Sequence, residues 1–177
     1  MIVAFTCGII TVISILILIV KIKNDKLEHF NAKIIECEKK LQISLEEKFT
    51  IISTLQPKLS SISDDVEFNL LCNLEEIIDD DFMLNAILNK ADKEIKVFLE
   101  ERRAYIPSDD IKELLTKLHE TNIECIALKQ YYNEYTNTLN NLITNFPNNT
   151  IAKFKKIKKR ELYNDPIEEE FEILKKK

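Results

Sequence analysis

The residue types that perform acid–base and metal chemistry are scattered along this 177-residue chain rather than grouped. The two histidines, His29 and His119, lie outside the HExxH motif and outside any i, i+4 pair with Cys or Glu, so no zinc site is predicted. The adjacent acids Glu46-Glu47 and Glu100-Glu101 are typical helix-surface charges, and nothing in their spacing marks a general acid–base pair. The sequence therefore predicts neither a catalytic residue nor a metal ligand.

Cysteine and glycine usage excludes further classes of site. Cys7, Cys37, Cys72 and Cys125 are widely spaced and form no CxxC pair, so small apolar core residues are favoured over a disulfide framework or a zinc knuckle. The only glycine is Gly8, which excludes a P-loop, a dinucleotide-binding fingerprint and a nucleophile elbow in the rest of the chain. The net charge of −5 gives no nucleic-acid signature. We expect no enzyme, no cofactor and no nucleic-acid partner.

Two clusters each allow two interpretations. Tyr131, Tyr132 and Tyr135 suggest either a recognition patch or core packing, and the core is favoured because Tyr132 and Tyr135 lie on a heptad seam. A basic segment, residues 153–160, either contacts anionic lipid or pairs with acidic residues of the bundle, and the second interpretation is slightly favoured. Its basic residues are Lys153, Lys155, Lys156, Lys158, Lys159 and Arg160.

An apolar run at residues 2–20 must position everything that follows. It carries no charge, and thirteen of its nineteen residues are Ile, Leu, Val or Phe. As a helix it is roughly 28 Å long, close to the hydrocarbon thickness of a bilayer. A cleaved signal peptide needs a basic start and a small-x-small site, and Cys7 lacks the lead-in of a lipoprotein. The run predicts an uncleaved transmembrane anchor that contacts membrane lipid.

Helical periodicity continues beyond the run. Apolar residues recur every three or four positions on one face of a helix that should reach about Leu55, where Pro57 kinks or breaks it. Ser63 and Asp64 are candidate N-caps for the next region. The predicted face consists of Leu27, Phe30, Ile34, Cys37, Leu41, Leu45, Phe49, Ile52 and Leu55.

A second helical region is predicted over residues 66–106. One face is formed by Val66, Leu70, Asn73 and Ile77, and another by Phe82, Ala86, Leu88, Ile95, Phe98 and Leu99. The acidic run Asp79-Asp80-Asp81 between the two faces predicts a short interruption. Pro107 ends this region.

A third helix is predicted to begin at Ser108. Its seam of five heptads comprises Ile111, Leu114, Leu118, Thr121, Cys125, Leu128, Tyr132, Tyr135, Leu139, Leu142 and Phe146. Leu128 is expected in the core and Lys129 on the exposed face. Asn149 is a candidate cap of a short final helix.

The C-terminal part of the sequence resembles the LemA family. The matching positions are Tyr132, Asn133, Leu139, Phe146, Pro147, Asn149, Ile151, Ala152 and Phe154. A family segment similar to residues 41–56 matches in type at Leu41, Ile43, Leu45, Lys48, Phe49, Ile51, Ile52 and Leu55, and departs at Glu47, Thr50, Ser53 and Thr54. The resemblance implies a membrane-anchored four-helix bundle without an established enzymatic activity.

The predicted fold class is all-α, with a transmembrane helix that continues into an antiparallel four-helix-bundle or coiled-coil-like domain. The predicted parts are an anchor at residues 1–20, a bundle at 21–164 and a charged tail at 165–177. We expect a non-catalytic interaction or scaffold module of the cell envelope with a protein partner; the alternative is a sensor or signalling accessory. Lysines follow the span and only Met1 precedes it, which predicts a single-pass protein with its N-terminus outside and its bundle cytoplasmic.

Overall fold

Four α-helices are present in a computed structural model, which describes residues 2–61, 81–102 and 108–163. They are α1 (Ile2–Ser60), α2 (Asp81–Glu101), α3 (Asp109–Leu142) and α4 (Asn148–Phe154). All regular elements within these ranges are α-helices, which confirms the predicted all-α fold. The predicted positions Ser63, Asp64, Val66, Leu70, Cys72, Asn73, Ile77, Pro107 and the tail at 165–177 lie outside the described residues.

The first helix is continuous from the apolar run into the packed part of the chain. It runs through Pro57 and ends at Ser60, so the predicted break does not occur, although proline is unfavourable inside a helix. Pro57 lies in the last turn, and its carbonyl still accepts the N–H of Ser61 at 3.1 Å. Among the described residues, α1 is the one helix long and apolar enough to cross a membrane, and its most apolar stretch is unburied.

The predicted face of α1 is mostly buried, with one shift in register. Phe49 is only half-buried, whereas its neighbour Lys48 is 2% exposed. Lys48 continues the three-and-four spacing between Leu45 and Ile52, so the helix face includes the lysine instead of the phenylalanine. The buried predicted members are Leu27, Ile34, Cys37, Leu41, Leu45, Ile52 and Leu55.

The second helix begins at Asp81, within the acidic run predicted as an interruption, and Asp81 is favourable in a first helical turn. Its buried face is rotated from the predicted one, because Phe82 and Ala86 are exposed. The buried residues are Leu84, Asn85, Leu88, Ala91, Asp92, Ile95 and Phe98. Two polar side chains therefore belong to the buried stripe.

The third helix begins after Ser108, as predicted, and the Ser108 carbonyl accepts the N–H of Lys112 at 3.0 Å. Its seam residues Ile111, Leu118, Thr121, Cys125, Tyr132 and Leu139 are buried. The prediction is wrong at Phe146, which is exposed, and at Lys129, which is buried, while Leu128 is half-buried. Lys129 is buried because α2 offers it a hydrogen-bond acceptor, which a periodicity of apolar residues does not reveal.

The fourth helix follows a cis Phe146–Pro147 peptide bond. Its N-cap is Pro147, without a side-chain hydrogen bond, so Asn149 lies inside the helix and is not the predicted cap. At the other end, Ile157 N–H bonds to the Ala152 carbonyl at 2.9 Å and Lys156 N–H to the Lys153 carbonyl at 3.2 Å. With Lys156 at φ 57°, these two bonds form a Schellman motif.

The chain divides into two compact units. Unit 1 contains Met1–Glu38 and Gln130–Leu162, and unit 2 contains Lys39–Lys129 and Tyr163–Lys177. In unit 2, Lys58 of α1 pairs with Asp110 of α3, and Phe82 of α2 stacks on Tyr163 at 4.1 Å between ring centroids. In unit 1, Phe30 of α1 meets Tyr135 of α3 at 6.2 Å.

Candidate functional site

The buried interior of unit 2 contains a polar cluster, here called the lysine cluster. Its members are Lys48 of α1, Asn85, Asn89 and Asp92 of α2, and Cys125 and Lys129 of α3; Asn89 is half-buried and the others are buried. Each helix contributes a buried stripe, and the polar members occupy stripe positions that apolar residues would otherwise fill. Polar groups removed from water require hydrogen-bond partners, which the three helices supply to one another.

Two asparagines of α2 connect the two lysines. Lys48 Nζ donates to Asn89 Oδ1 at 2.8 Å, and Lys129 Nζ donates to Asn85 Oδ1 at 3.1 Å. Asn89 Nδ2 approaches Asn85 Oδ1 at 3.4 Å, which is long for a hydrogen bond. The two lysines therefore reach α2 through side chains one helical turn apart.

Electrostatics in the lysine cluster disfavour its positive charge. Burial lowers the pKa of Lys48 to about 8; the charge of Asp92 opposes this shift and that of Lys129 adds to it. Asp92 forms an ion pair of 2.9 Å with Lys96 on its own helix. Burial also raises the pKa of the Cys125 thiol, against the effect of Lys48 and Lys129. A lysine whose pKa is near 8 is easily neutralised, but Lys48 is enclosed and directed at an amide oxygen.

The sequence did not predict the lysine cluster. A signal existed at Lys48, which matches a basic position of the LemA-like segment and keeps the buried spacing of α1. The sequence gives a weaker indication that Lys129 is buried. The hydrogen-bond partners on α2 can be identified only from the three-dimensional arrangement.

The basic segment, residues 153–160, lies in unit 1, where some of its charges are paired with acidic residues and others are exposed. Lys155 pairs with Glu28, and Arg160 pairs with Glu38 and approaches Asn31 Oδ1 at 3.3 Å. The backbone of Arg160 is also held by Asn140, with N–H donated to Oδ1 at 3.0 Å and the carbonyl accepting from Nδ2 at 2.8 Å. Two of the six basic residues thus pair with the bundle, and the other four are exposed: Lys153, Lys156, Lys158 and Lys159.

Tyrosine packing agrees with the core interpretation at one position. Tyr132 is buried and its hydroxyl donates to the Glu161 carbonyl at 3.1 Å, which secures the chain after α4. Burial raises the pKa of this phenol. Tyr135 is half-buried, and Tyr131 is exposed and lies 6.5 Å from Tyr135 between ring centroids.

The other candidate residues of the sequence lie on helix surfaces. His29 is exposed beside Phe30, and His119 is exposed on α3. The acids of Glu46-Glu47 and Glu100-Glu101 are exposed as well. Within residues 2–61, 81–102 and 108–163, no three His, Cys, Asp or Glu side chains form a group that could hold a metal ion. Cys37 and Cys125 are buried, as expected of core residues, and Cys7 is exposed on the apolar run.

Comparison with known proteins connects this architecture to one family. The model of the LemA family matches residues 74–173, a stretch that includes α2, α3, α4 and the basic segment. A search of curated proteins and a search of solved structures each found no significant match. The matched stretch of 100 residues covers more than half of the 177-residue chain and includes the FPxN motif at residues 146–149. The chain belongs to the LemA family.

Proposed function

We propose that this protein is a membrane-anchored, non-catalytic helical bundle that serves as an interaction or scaffold module of the cell envelope. The observation that carries this proposal is the continuity of α1, which joins an unburied apolar run to a packed bundle without a break. The anchor holds the bundle beside the membrane, and the bundle presents helical surfaces to a protein partner.

The exposure of the apolar run supports the anchoring. Its large side chains from Phe5 to Val20 are exposed, including Ile10, Leu16 and Ile17. Apolar surface of this extent is unfavourable in water and is the composition of a lipid-facing helix. Lys21, Lys23 and Lys26 follow the run, and the bias of basic residues toward the cytoplasm favours a cytoplasmic bundle.

The distribution of polar groups supports a non-catalytic role. The candidate acids and histidines of the sequence are surface residues, while the buried lysines donate to asparagines of the same unit. Internally satisfied polar groups give a bundle one defined packing, which suits a module whose surface shape matters.

Membrane extraction tests the anchoring. The full chain should remain in the membrane pellet after alkaline carbonate treatment, because the apolar run is embedded in lipid. A variant with Ile13→Lys and Leu16→Lys should move to the supernatant, whereas the matched pair Ile43→Lys and Ile123→Lys, exposed on the bundle, should stay in the pellet. Release of the unmodified chain would contradict the proposal.

Cysteine labelling tests the orientation. Lys177→Cys is introduced after Cys7, Cys37, Cys72 and Cys125 are replaced by Ala. A membrane-impermeant maleimide should label this chain only after the cells are permeabilised. Strong labelling of intact cells would place the bundle outside. Crosslinking in cells followed by mass spectrometry would then identify the partner.

A sensor or signalling accessory is the second candidate, favoured by the unbroken α1, because a rigid helix transmits movement from a membrane span to a bundle. Insertion of Gly-Gly after Lys23 would interrupt this helix. A scaffold should crosslink to the same partners after the insertion. For a sensor, crosslinking to partners should change with the state of the membrane in the parent and should no longer change after the insertion.

A further inference from the structure

The end of α3 lies close to the membrane end of α1 in unit 1. Phe30 meets Tyr135 at 6.2 Å between ring centroids. Unit 1 contains α1 up to Glu38 and α3 from Gln130 onward, whereas unit 2 contains the later part of α1 and the earlier part of α3, so the two helices run in opposite directions. Extending this register places Leu142, the last residue of α3, beside residues 23–28 of α1. That level is about 5–12 Å beyond Val20, where the apolar run ends.

Two phenylalanines at this end are uncovered. Phe146 is 84% exposed and Phe154 is 86% exposed, the highest values among the large apolar side chains that the structure describes. Phe146 directly precedes α4 and Phe154 is its last residue. Aromatic side chains are enriched where a membrane meets water, because the interface accepts an apolar ring next to polar headgroups.

Positively charged residues lie next to Phe154 in the chain. Lys153 and Lys156 are exposed on either side of Phe154, and Lys158 and Lys159 are exposed further along. Lys155 pairs with Glu28, which lies eight residues beyond Val20 and fixes the end of α4 to α1 about 12 Å from the apolar run. This distance of about 12 Å is close to the Debye length of about 8–10 Å, so anionic headgroups still attract the exposed lysines despite screening by salt.

We propose that the α4 surface, defined by Phe146, Lys153, Phe154 and Lys156, rests on an anionic bilayer leaflet, the same leaflet through which α1 leaves the membrane. The inference deepens the proposed function and rests on its anchoring by α1. The apolar run determines which leaflet is reached, the rings enter its interface, and each lysine favours the docked state about fivefold. The helical bundle is then held at two points.

Fluorescence depth measurements on the full chain test this arrangement. Cys7, Cys37, Cys72 and Cys125 are replaced by Ala, and one cysteine is introduced as Phe146→Cys or Phe154→Cys and labelled with an environment-sensitive dye. The matched control is Ala32→Cys, exposed on α1 about 18 Å beyond Val20. Each chain is reconstituted into vesicles of phosphatidylcholine and phosphatidylserine, some carrying lipids with a nitroxide on the headgroup. Circular dichroism verifies the same helicity in all three.

We expect the nitroxide lipids to quench the dye at positions 146 and 154 strongly and the dye at position 32 weakly. Quenching at position 154 should fall when Lys153→Gln and Lys156→Gln are combined, and when phosphatidylserine is omitted. Equal, weak quenching at all three positions would overturn the proposal. A blue-shifted dye without quenching would also overturn it, and would assign the α4 surface to a second copy of the chain.

Flotation of the same vesicles separates the two proposals. If the chain does not float with the lipid, the anchoring by α1 fails. If it floats and positions 146 and 154 stay unquenched, the anchoring stands and the docking of the α4 surface is wrong. Lipid composition is identical in both leaflets, so the result is independent of the orientation of the bundle.

Discussion

A buried lysine makes the stability of unit 2 depend on pH. The pKa of Lys48 is about 8 in the folded protein and 10.5 in its unperturbed state. Between these values the unfolded chain binds the proton more strongly, so stability rises as the pH increases from 8 to 10.5, by up to about 3 kcal/mol. Below pH 8 both states are protonated and the unfavourable effect of the buried charge is constant.

Lys48→Met should remove this dependence. At pH 7 we expect the variant to be about as stable as the parent or up to about 3 kcal/mol more stable, because an apolar side chain of similar length replaces a buried charge. Between pH 7.5 and 10.5 the free energy of unfolding of the parent should rise relative to that of the variant. Urea unfolding in detergent micelles, followed by circular dichroism, measures this. Both chains carry Cys125→Ala, because the raised pKa of that thiol acts with the opposite sign.

The control for this prediction is Lys39→Met, an exposed lysine on the same helix. It should leave the slope of stability against pH unchanged. An identical slope in Lys48→Met and the parent would contradict the pKa of Lys48.

Truncation of the second buried lysine should destabilise the bundle. Lys129→Ala leaves the Asn85 oxygen without its donor at 3.1 Å and removes buried methylenes, for an expected loss of about 1–3 kcal/mol. Lys117→Ala removes an exposed lysine of α3 and should change stability by less than about 0.5 kcal/mol. Unfolding midpoints of the two variants that coincide would mean that the hydrogen bond to Asn85 contributes nothing.

Residue-level prediction from the sequence succeeded for apolar positions and failed for these lysines. Leu41, Leu45 and Ile52 follow the helical period and are buried as predicted. Lys48 and Lys129 also follow the period, but a lysine is normally a surface residue unless a partner is available, and the partners are on another helix. The period alone therefore cannot assign them to the interior.

At the scale of elements, the end of α4 has a residue in an unusual backbone conformation. Lys156 has φ 57°, a region in which a Cβ atom is unfavourable, and it occupies the position of a Schellman motif where glycine is common. Lys156→Gly should therefore stabilise the protein by about 0.5–1 kcal/mol. Lys156→Ala removes the same charge but keeps the Cβ atom, so it should give no such gain. Thermal unfolding compares the two, and equal midpoints would contradict the conformational explanation.

Two side chains of α3 hold the segment after α4: Tyr132 bonds to the Glu161 carbonyl, and Asn140 bonds to the backbone of Arg160. Asn140 exchanges two hydrogen bonds with the Arg160 backbone, at 2.8 and 3.0 Å, so Asn140→Ala should cost about 1–3 kcal/mol. Asn137→Ala, at an exposed position one turn earlier, should cost less than about 0.5 kcal/mol. Hydrogen exchange at the Arg160 amide should accelerate in the first variant only; unchanged exchange there would show that another contact holds the segment.

Element boundaries followed the sequence where a local signal was strong. Ser108 and its acidic neighbours predicted the start of α3, and Lys58 and Ser108 hold the pKa of Asp110 at about 2. The break predicted at Pro57 is absent, because α1 contains this proline in its last turn. The predicted cap Asn149 is wrong because Pro147 occupies the N-cap position and α4 begins at Asn148, two residues earlier than a cap at Asn149 implies.

At the scale of the whole molecule, composition was sufficient to predict the apolar run. Periodicity and the scarcity of glycine were sufficient for the helical class, and the motif around Phe146-Pro147 was sufficient for the family. The division into two units was not predicted, since it depends on contacts between residues far apart in the chain. The distance of Phe146 and Phe154 from the end of the apolar run, measured along α1, could not be predicted either, because it depends on the register between α1 and α3 in unit 1.

If α1 anchors the protein as proposed, its continuity makes the position of the bundle depend on bilayer thickness. The apolar run is roughly 28 Å long, whereas hydrocarbon cores range from about 27 to 33 Å among membranes. A thicker bilayer draws the start of the bundle toward the lipid, since α1 has no joint that absorbs the difference. The dye at position 154 should therefore be quenched more in vesicles of longer acyl chains, and an equal signal across chain lengths would contradict this. The anchored chain would then report the thickness of the membrane in which it resides.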